Sequence, residues 1–204
     1  MKLVVATHNA HKTGEIREII GSWFDEIEDL TSHPEIEPAE ETGGTFLENA
    51  DIKALAAARH LPSSVVLADD SGLEVDALDL APGVYSARYA GEGATDADNR
   101  RKVLEELDAR GLRHARPRAR FRCVLSLVKE GVQIAHCEGS VEGTIAPHEQ
   151  GENGFGYDPV FIPEGHEQTF GELPSETKHA MSHRGRALAQ LAAILEGGAL
   201  RDEE

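Results

Sequence analysis

The chain reads as an α/β protein on three observations. An all-apolar run, Leu3-Val4-Val5-Ala6, passes straight into a helical pattern. A second such run, Val65-Val66-Leu67-Ala68, follows a well-capped helix, and two later segments separated by Lys129-Glu130-Gly131 read as a hairpin. Strands interleaved with helices call for a sheet covered by helices, the layer plan of α/β proteins.

The elements follow in order. Residues 3–6 form the first strand, and residues 12–24 a helix with Ile16, Ile19, Ile20 and Phe24 on one face. The acidic, proline-bearing segment 32–44 is a loop. Thr45-Phe46-Leu47-Glu48 is a capping box, so a helix starts there and runs to about His60. The second strand, 65–68, is expected to end at Asp69-Asp70-Ser71-Gly72, with 73–77 resuming after a glycine turn. Thr95 and Asp98 cap a helix through about Arg110 that carries Val103, Leu104 and Leu107 inward. The hairpin pairs 118–128 with 132–137, its second arm running on to Ile145. A helix over 184–195 shows Leu188, Leu191, Ala192 and Leu195 on one side. No internal repeat is present, one domain over residues 1–204 suffices, and disorder is expected only at 201–204.

Composition limits what such a domain can do. No apolar run approaches the ~20 residues of a membrane span, and Met1-Lys2 leads into a strand without a signal-peptide core, so a soluble, cytoplasmic protein is expected. Cys123 and Cys137 fall on opposite arms of the hairpin, where they are expected as reduced, buried thiols. The 37 acidic residues outnumber the 20 basic ones, for a formal charge of −17, which repels a nucleic-acid polymer. The same field repels a nucleoside triphosphate, so a site for one needs local cations and a divalent metal.

Candidate cations and an aromatic platform lie in the motifs. Phe155 sits between Gly154 and Gly156, which bring no Cβ into the approach of a flat ligand, and Tyr157-Asp158-Pro159 follow. Lys178, His183 and Arg184 add donors suited to phosphate or to a keto-purine edge. Together these residues point to a nucleotide. Thr7-His8-Asn9-Ala10-His11-Lys12 follows the first strand and opens a helix, a place where free N–H groups attract an anion; an ordinary cap by Thr7 or Asn9 is the plainer alternative. Glu48, Asn49 and Lys53 lie on the second helix, with Asn49 and Lys53 spaced to share a face, either toward a ligand or as a solvated polar stripe. Asp69 and Asp70 end an apolar strand, and neighbours on a strand point to opposite faces, so one of them is expected to be structural. With Glu41, an Asp here supplies the hard oxygen ligands that Mg²⁺ takes beside water and phosphate; a turn cap is the alternative. The basic stretch 113–120 lacks interleaved aromatics and reads as a solvated lead-in to a strand.

Taken together, these segments resemble the Ham1 family, the inosine/xanthosine triphosphate pyrophosphatases. The resemblance rests on Thr7-x-Asn9-x-x-Lys12, Glu41-Thr42-Gly43-Gly44-Thr45-Phe46-Leu47-Glu48-Asn49-Ala50, Lys53-Ala54, Ala68-Asp69-Asp70-Ser71-Gly72-Leu73, Pro82-Gly83-Val84-Tyr85-Ser86-Ala87-Arg88, Gly154-Phe155-Gly156-Tyr157-Asp158-Pro159 and Ser182-His183-Arg184. It implies an elongated α/β fold with a long, bent mixed sheet, two lobes around a nucleotide cleft, and a homodimer. It also implies Mg²⁺-dependent hydrolysis of ITP, dITP or XTP to the monophosphate and pyrophosphate. By the same resemblance Thr7 to Lys12 and Lys53 hold the triphosphate, Glu41 and Asp70 serve the metal, and Asp70 is the preferred base, with Asp69 second. Ser71 contacts substrate, Phe155, Gly156, Tyr157 and Asp158 take the base or sugar, and Lys178, His183 and Arg184 address the 6-oxo purine edge. Thr177 departs from the second acid the family often carries before the lysine. Two other readings stay open: a nucleotide-binding module without catalysis, and a Maf-type pyrophosphatase for modified pyrimidines.

Overall fold

The computed structural model describes residues 1–200; the expectation of disorder at 201–204 lies outside them. Six strands form one mixed sheet in the order β2-β1-β3-β4-β5-β6. They are β1 (Lys2–Val5), β2 (Glu26–Asp29), β3 (Val65–Val75), β4 (Arg118–Lys129), β5 (Val132–Ile145) and β6 (Phe161–Pro163). The helices are α1 (Ala10–Ile20), α2 (Phe46–Ala58), α3 (Asp96–Ala109), α4 (Ser175–Met181) and α5 (His183–Glu196). β1 is parallel to β2 and to β3, with Val5 opposite Asp29 on one side and Leu67 on the other. β6 is antiparallel to β5, Ile162 opposite Thr144. The α/β class and the mixed sheet expected from the sequence are therefore present.

The chain divides into two compact units: residues 1–70, 123–139 and from 184 on, and residues 71–122 and 140–183. The first has a core on each face of its strands. Leu3, Val5, Val65 and Leu67 pack with Ile16, Ile20, Leu125, Leu127, Leu188 and Leu191, while Val4, Ala6, Val66 and Ala68 pack with Ala54, Ala57 and Ala58 of α2. The period of two sends alternate residues to opposite faces, and both faces are covered, so these strands are apolar throughout. The second unit has its own core of Leu73, Val75, Val103, Leu104, Leu107, Phe121, Phe161 and Phe170.

Several boundaries differ from expectation, each for a local reason. α1 starts at Ala10, because Asn9 is its cap and accepts from the His11 and Lys12 N–H groups, and it ends at Ile20. β2 was not foreseen: Glu26-Ile27-Glu28-Asp29 offers one apolar residue in four, as an edge strand tolerates. β3 runs unbroken for 11 residues, so Asp69-Asp70-Ser71-Gly72 is strand rather than turn. The hairpin turns at Glu130 (φ 53°) and Gly131 (φ 76°), the two positive φ values of a two-residue primed turn. β6 and α4 are too short to leave a periodic signal. α2 and α3 carry the capping boxes expected at Thr45–Glu48 and Thr95–Asp98. Cys123 and Cys137 are free and buried. Among the described residues no helix is long and apolar enough to cross a membrane.

Candidate active site

Continuity of β3 through the acidic pair decides the chemistry of the first unit. Asp69 and Asp70 are successive strand residues, so their carboxylates serve different neighbours. Asp69, 1 % exposed, is paired with Lys12 Nζ, accepts from Arg184 Nε at 2.7 Å, and receives the Cys123 thiol at 3.1 Å. Arg184, also 1 % exposed, makes its other ion pair with Glu15 of α1. Burial alone would raise the Asp69 carboxyl, but Arg184 and Lys12 outweigh it and hold Asp69 ionised, well below the usual carboxylate range. The Cys123 thiol is pushed far up by burial and by the Asp69 charge.

Asp70 looks the other way, to α2. Lys53 Nζ donates to Asp70 Oδ1 at 2.5 Å, to Glu41 Oε1 at 2.9 Å and to the Asp69 carbonyl oxygen at 2.9 Å. Burial disfavours the Lys53 charge, yet the two carboxylates more than restore it, so the ammonium is retained. Burial raises the Asp70 carboxyl above the ordinary aspartate value despite Lys53, which leaves it a stronger proton acceptor than a surface aspartate. Its second oxygen, Oδ2, is buried and has no hydrogen-bond partner.

Two carboxylates on one ammonium, Asp70 buried with an unused oxygen and Glu41 half-buried, fit a hard divalent cation. Mg²⁺ is held by one or two carboxylates together with water and substrate phosphates. Among the described residues no group of three or more His, Cys, Asp and Glu forms an all-protein metal cage. The electrostatic balance agrees: Lys12, Lys53 and Arg184 face Glu15, Glu41, Asp69 and Asp70, so the protein's own acids already neutralise its cations.

The start of α1 is less open to an anion than its sequence suggests. Asn9 Oδ1 already accepts from the N–H groups of His11, at 3.0 Å, and Lys12, at 3.4 Å, while Thr7 Oγ1 accepts from Asn9 N–H. His8, Ala10 and His11 are exposed, and Thr7 and Lys12 half-buried. A phosphate seated on this turn would compete with the Asn9 cap.

In the second unit, the glycine-rich loop is built around Asp158. Its Oδ2 accepts from Phe155 N–H at 2.9 Å and from Lys178 Nζ at 2.8 Å, and Gly154 (φ 75°) is obligatory because a Cβ there would lie 2.0 Å from that oxygen. Lys178 Nζ stands 4.8 Å from the centre of the Phe155 ring. Gly156 is gripped on both sides, its N–H donating to Asp96 and its carbonyl accepting from Arg100, each at 2.7 Å. Tyr157 is buried, with its hydroxyl on the Ser86 carbonyl at 2.8 Å, and His183 stacks on Phe121 at 4.8 Å between ring centres. Ser71 is half-buried on β3.

These placements sort the expected residues. Lys12, Lys53, Glu41, Asp69 and Asp70 come together in the first unit; Phe155, Gly156, Tyr157, Asp158 and Lys178 come together in the second. Arg184, linked by resemblance to the purine edge, is engaged here by two buried carboxylates of the first unit. Tyr157 and Asp158 are buried loop supports, which leaves Phe155 and Gly156 the less buried part of the motif. Glu15, Asp96 and Arg100 are not singled out by the sequence, and Cys123 is expected there only as a buried thiol. Only Glu15 left a signal, as an acid on the buried side of α1, one residue from Ile16.

The first unit thus carries a cluster of lysines and carboxylates beside a strand, and the second a loop that pairs an aromatic ring with a lysine, groups of the kind found in nucleotide-handling α/β proteins. The sequence model described as the Ham1 family matches residues 3–194, and the chain belongs to that family. A dITP/XTP pyrophosphatase of Exiguobacterium sibiricum is 47 % identical over 96 % of this chain and 97 % of its own length. One of Bacillus subtilis is 46 % identical over 95 % and 96 %. The solved structure of a HAM1 protein from Coxiella burnetii covers 97 % of this chain and 100 % of its own, with a TM-score of 0.85 at 42 % identity.

Proposed function

We propose that this protein is a nucleoside-triphosphate pyrophosphatase that hydrolyses the deaminated purine nucleotides dITP, ITP, XTP and dXTP to the monophosphate and pyrophosphate, removing them from the nucleotide pool. The dITP/XTP pyrophosphatases to which the chain is similar over nearly its full length support the reading. The observation that carries the chemistry is the Lys53–Asp70–Glu41 cluster, with the buried, unpartnered Asp70 Oδ2.

In this reading Lys12 and Lys53 bind the triphosphate, assisted by the turn from Thr7 through His8, Asn9, Ala10 and His11. Glu41 and Asp70 would hold Mg²⁺, which when bound neutralises charge on the phosphates. Asp70, raised by burial, orients the attacking water and accepts its proton, while Lys53 bridges Asp70 and Glu41 and holds them close together. Asp69 is fully committed to Lys12 and Arg184, so its part is to hold Lys12 in place rather than to take a proton. Most of the rate enhancement is then positioning and electrostatic stabilisation, as phosphoryl-group chemistry requires.

Phe155 offers its face to the purine, Ser71 contacts the substrate, and Lys178 and His183 supply donors toward a 6-oxo group. Donors facing O6 are satisfied by hypoxanthine or xanthine and left unpaired by the amino group of adenine, a rejection mechanism worth several powers of ten where the donors are buried. A homodimer and a cytoplasmic location belong to the same proposal, on the family resemblance.

The test is a substrate panel. Purified protein with Mg²⁺ is given dITP, XTP, dATP or dGTP, and monophosphate and pyrophosphate are separated chromatographically, with and without EDTA. Chelator-sensitive pyrophosphate release from dITP and XTP, with little from dATP and dGTP, is the expected result. Tight dITP binding without product would make the protein a binding module, and preference for modified pyrimidine nucleotides would favour the Maf-type reading.

A further inference from the structure

α2 grips the loop before it at three successive points. Glu48 Oε2 accepts from Gly44 N–H at 2.7 Å and Thr45 N–H at 3.1 Å, Asn49 Oδ1 accepts from Gly43 N–H at 2.8 Å, and Lys53 Nζ donates to Glu41 at 2.9 Å. The outer two are an ordinary capping box and the cluster already described. Asn49, one helical turn before Lys53 on the same face, is 0 % exposed, and its Nδ2 has no hydrogen-bond partner. Burying an amide donor unsatisfied is costly, and a small apolar residue would avoid that cost, so an Asn here calls for a use of its oxygen. The backbone beside it is fitted to the contact. A Cβ at Gly43 would stand 2.6 Å from Glu48 Cβ and 2.7 Å from Asn49 Oδ1, so a residue larger than glycine would push the loop off the amide.

We propose that Asn49 and Gly43 form a positioning contact for Glu41, holding the carboxylate two residues upstream on Lys53, which it shares with Asp70, so that the two acids can hold a divalent cation. The inference rests on the metal reading above. Asn49 touches neither phosphate nor metal; it acts through the backbone of the loop. Groups that orient metal-binding residues in this way typically govern affinity for the ion by 10–100-fold.

The test uses Mn²⁺ as a spectroscopic probe on the nucleotide-free, full-length protein, titrated by electron paramagnetic resonance, with urea unfolding measured in parallel. Asn49→Ala is expected to weaken Mn²⁺ binding about tenfold. Gly43→Ala, which displaces the loop while leaving the amide in place, is expected to do the same. The double variant should be no more than about twofold weaker than either single, because both substitutions break one contact. Variants that bind Mn²⁺ as tightly as the unsubstituted protein, with only a lower urea midpoint, would make the contact merely structural and overturn the inference. So would a double variant whose losses multiply to about a hundredfold. A failure of the metal reading looks different: the unsubstituted protein then shows no saturable Mn²⁺ binding, and the inference falls with it.

Discussion

Replacing Arg184 with Met tests the buried charge network most directly. The guanidinium joins three elements: it is on α5, donates to Asp69 of β3 at 2.7 Å, and is paired with Glu15 of α1. Met has a similar reach but no charge, so the substitution withdraws the guanidinium from both Glu15 and Asp69. Removing one partner of a buried ion pair costs roughly 3–5 kcal/mol, because an uncompensated charge remains in a low-dielectric interior. For a chain of this size each kcal/mol lowers the melting temperature by about 2–4 °C, giving a drop of roughly 6–20 °C. The pH dependence carries the diagnosis. In the parent protein Asp69 is held below its unfolded value, so its contribution is fully present above the ordinary aspartate range and is lost as pH falls through the lower folded value. In the variant the carboxylates have lost the guanidinium and take up protons at higher pH. The deficit should therefore be largest near pH 7 and shrink toward pH 5. Urea unfolding at both values, read by circular dichroism, measures it; urea is preferred because it leaves ion pairs unscreened. A deficit below about 1 kcal/mol, the range of exposed ion pairs, or one independent of pH, would refute the placement of Arg184 between buried carboxylates.

Asp70→Asn should lower pyrophosphate release by about 10²–10⁴-fold, the usual worth of a positioned base, with the urea midpoint little changed because burial already disfavours this charge; full turnover would remove Asp70 from the mechanism. Native protein should resist a disulfide-exchange reagent at pH 8, since burial holds Cys123 far above the ordinary thiol range and lifts Cys137 to about 11, whereas both thiols should react in urea; rapid modification of folded protein would contradict their burial. Glu130→Asn should stabilise the hairpin by up to about 1 kcal/mol, because Glu130 sits at φ 53° in a two-residue turn that favours Asn-Gly; a loss in urea midpoint would count against that turn geometry.

Much of the fold was legible because its signals are local. The capping boxes at Thr45–Glu48 and Thr95–Asp98 place α2 and α3 at their N-termini, since the hydrogen bonds that define them lie within four residues. The apolar runs at Leu3 and Val65 read as buried strands because both faces of those strands are covered. β2 was missed for the opposite reason: an edge strand with three acids in four residues owes its form to pairing with β1 rather than to its own composition. The strand was expected to end at the acidic pair because Asp, Ser and Gly are turn formers, and pairing within the sheet overrode that preference.

The same division runs through the candidate site. The residue types that handle phosphate, metal and a flat ring were readable in order along the chain, because each chemistry needs particular functional groups at short spacings. Which acid does what was not readable, since Asp69 and Asp70 are chemically identical neighbours that differ only in what lies beyond each face of β3. Arg184 and Lys12 hold one as a fixed anion, while Lys53 leaves the other with an open oxygen. The sequence by itself determined the α/β class, the family and the set of reactive groups. Only the tertiary structure decided their partners, and therefore their charge states, because burial and the approach of residues more than a hundred positions away set the electrostatic environment of each carboxylate.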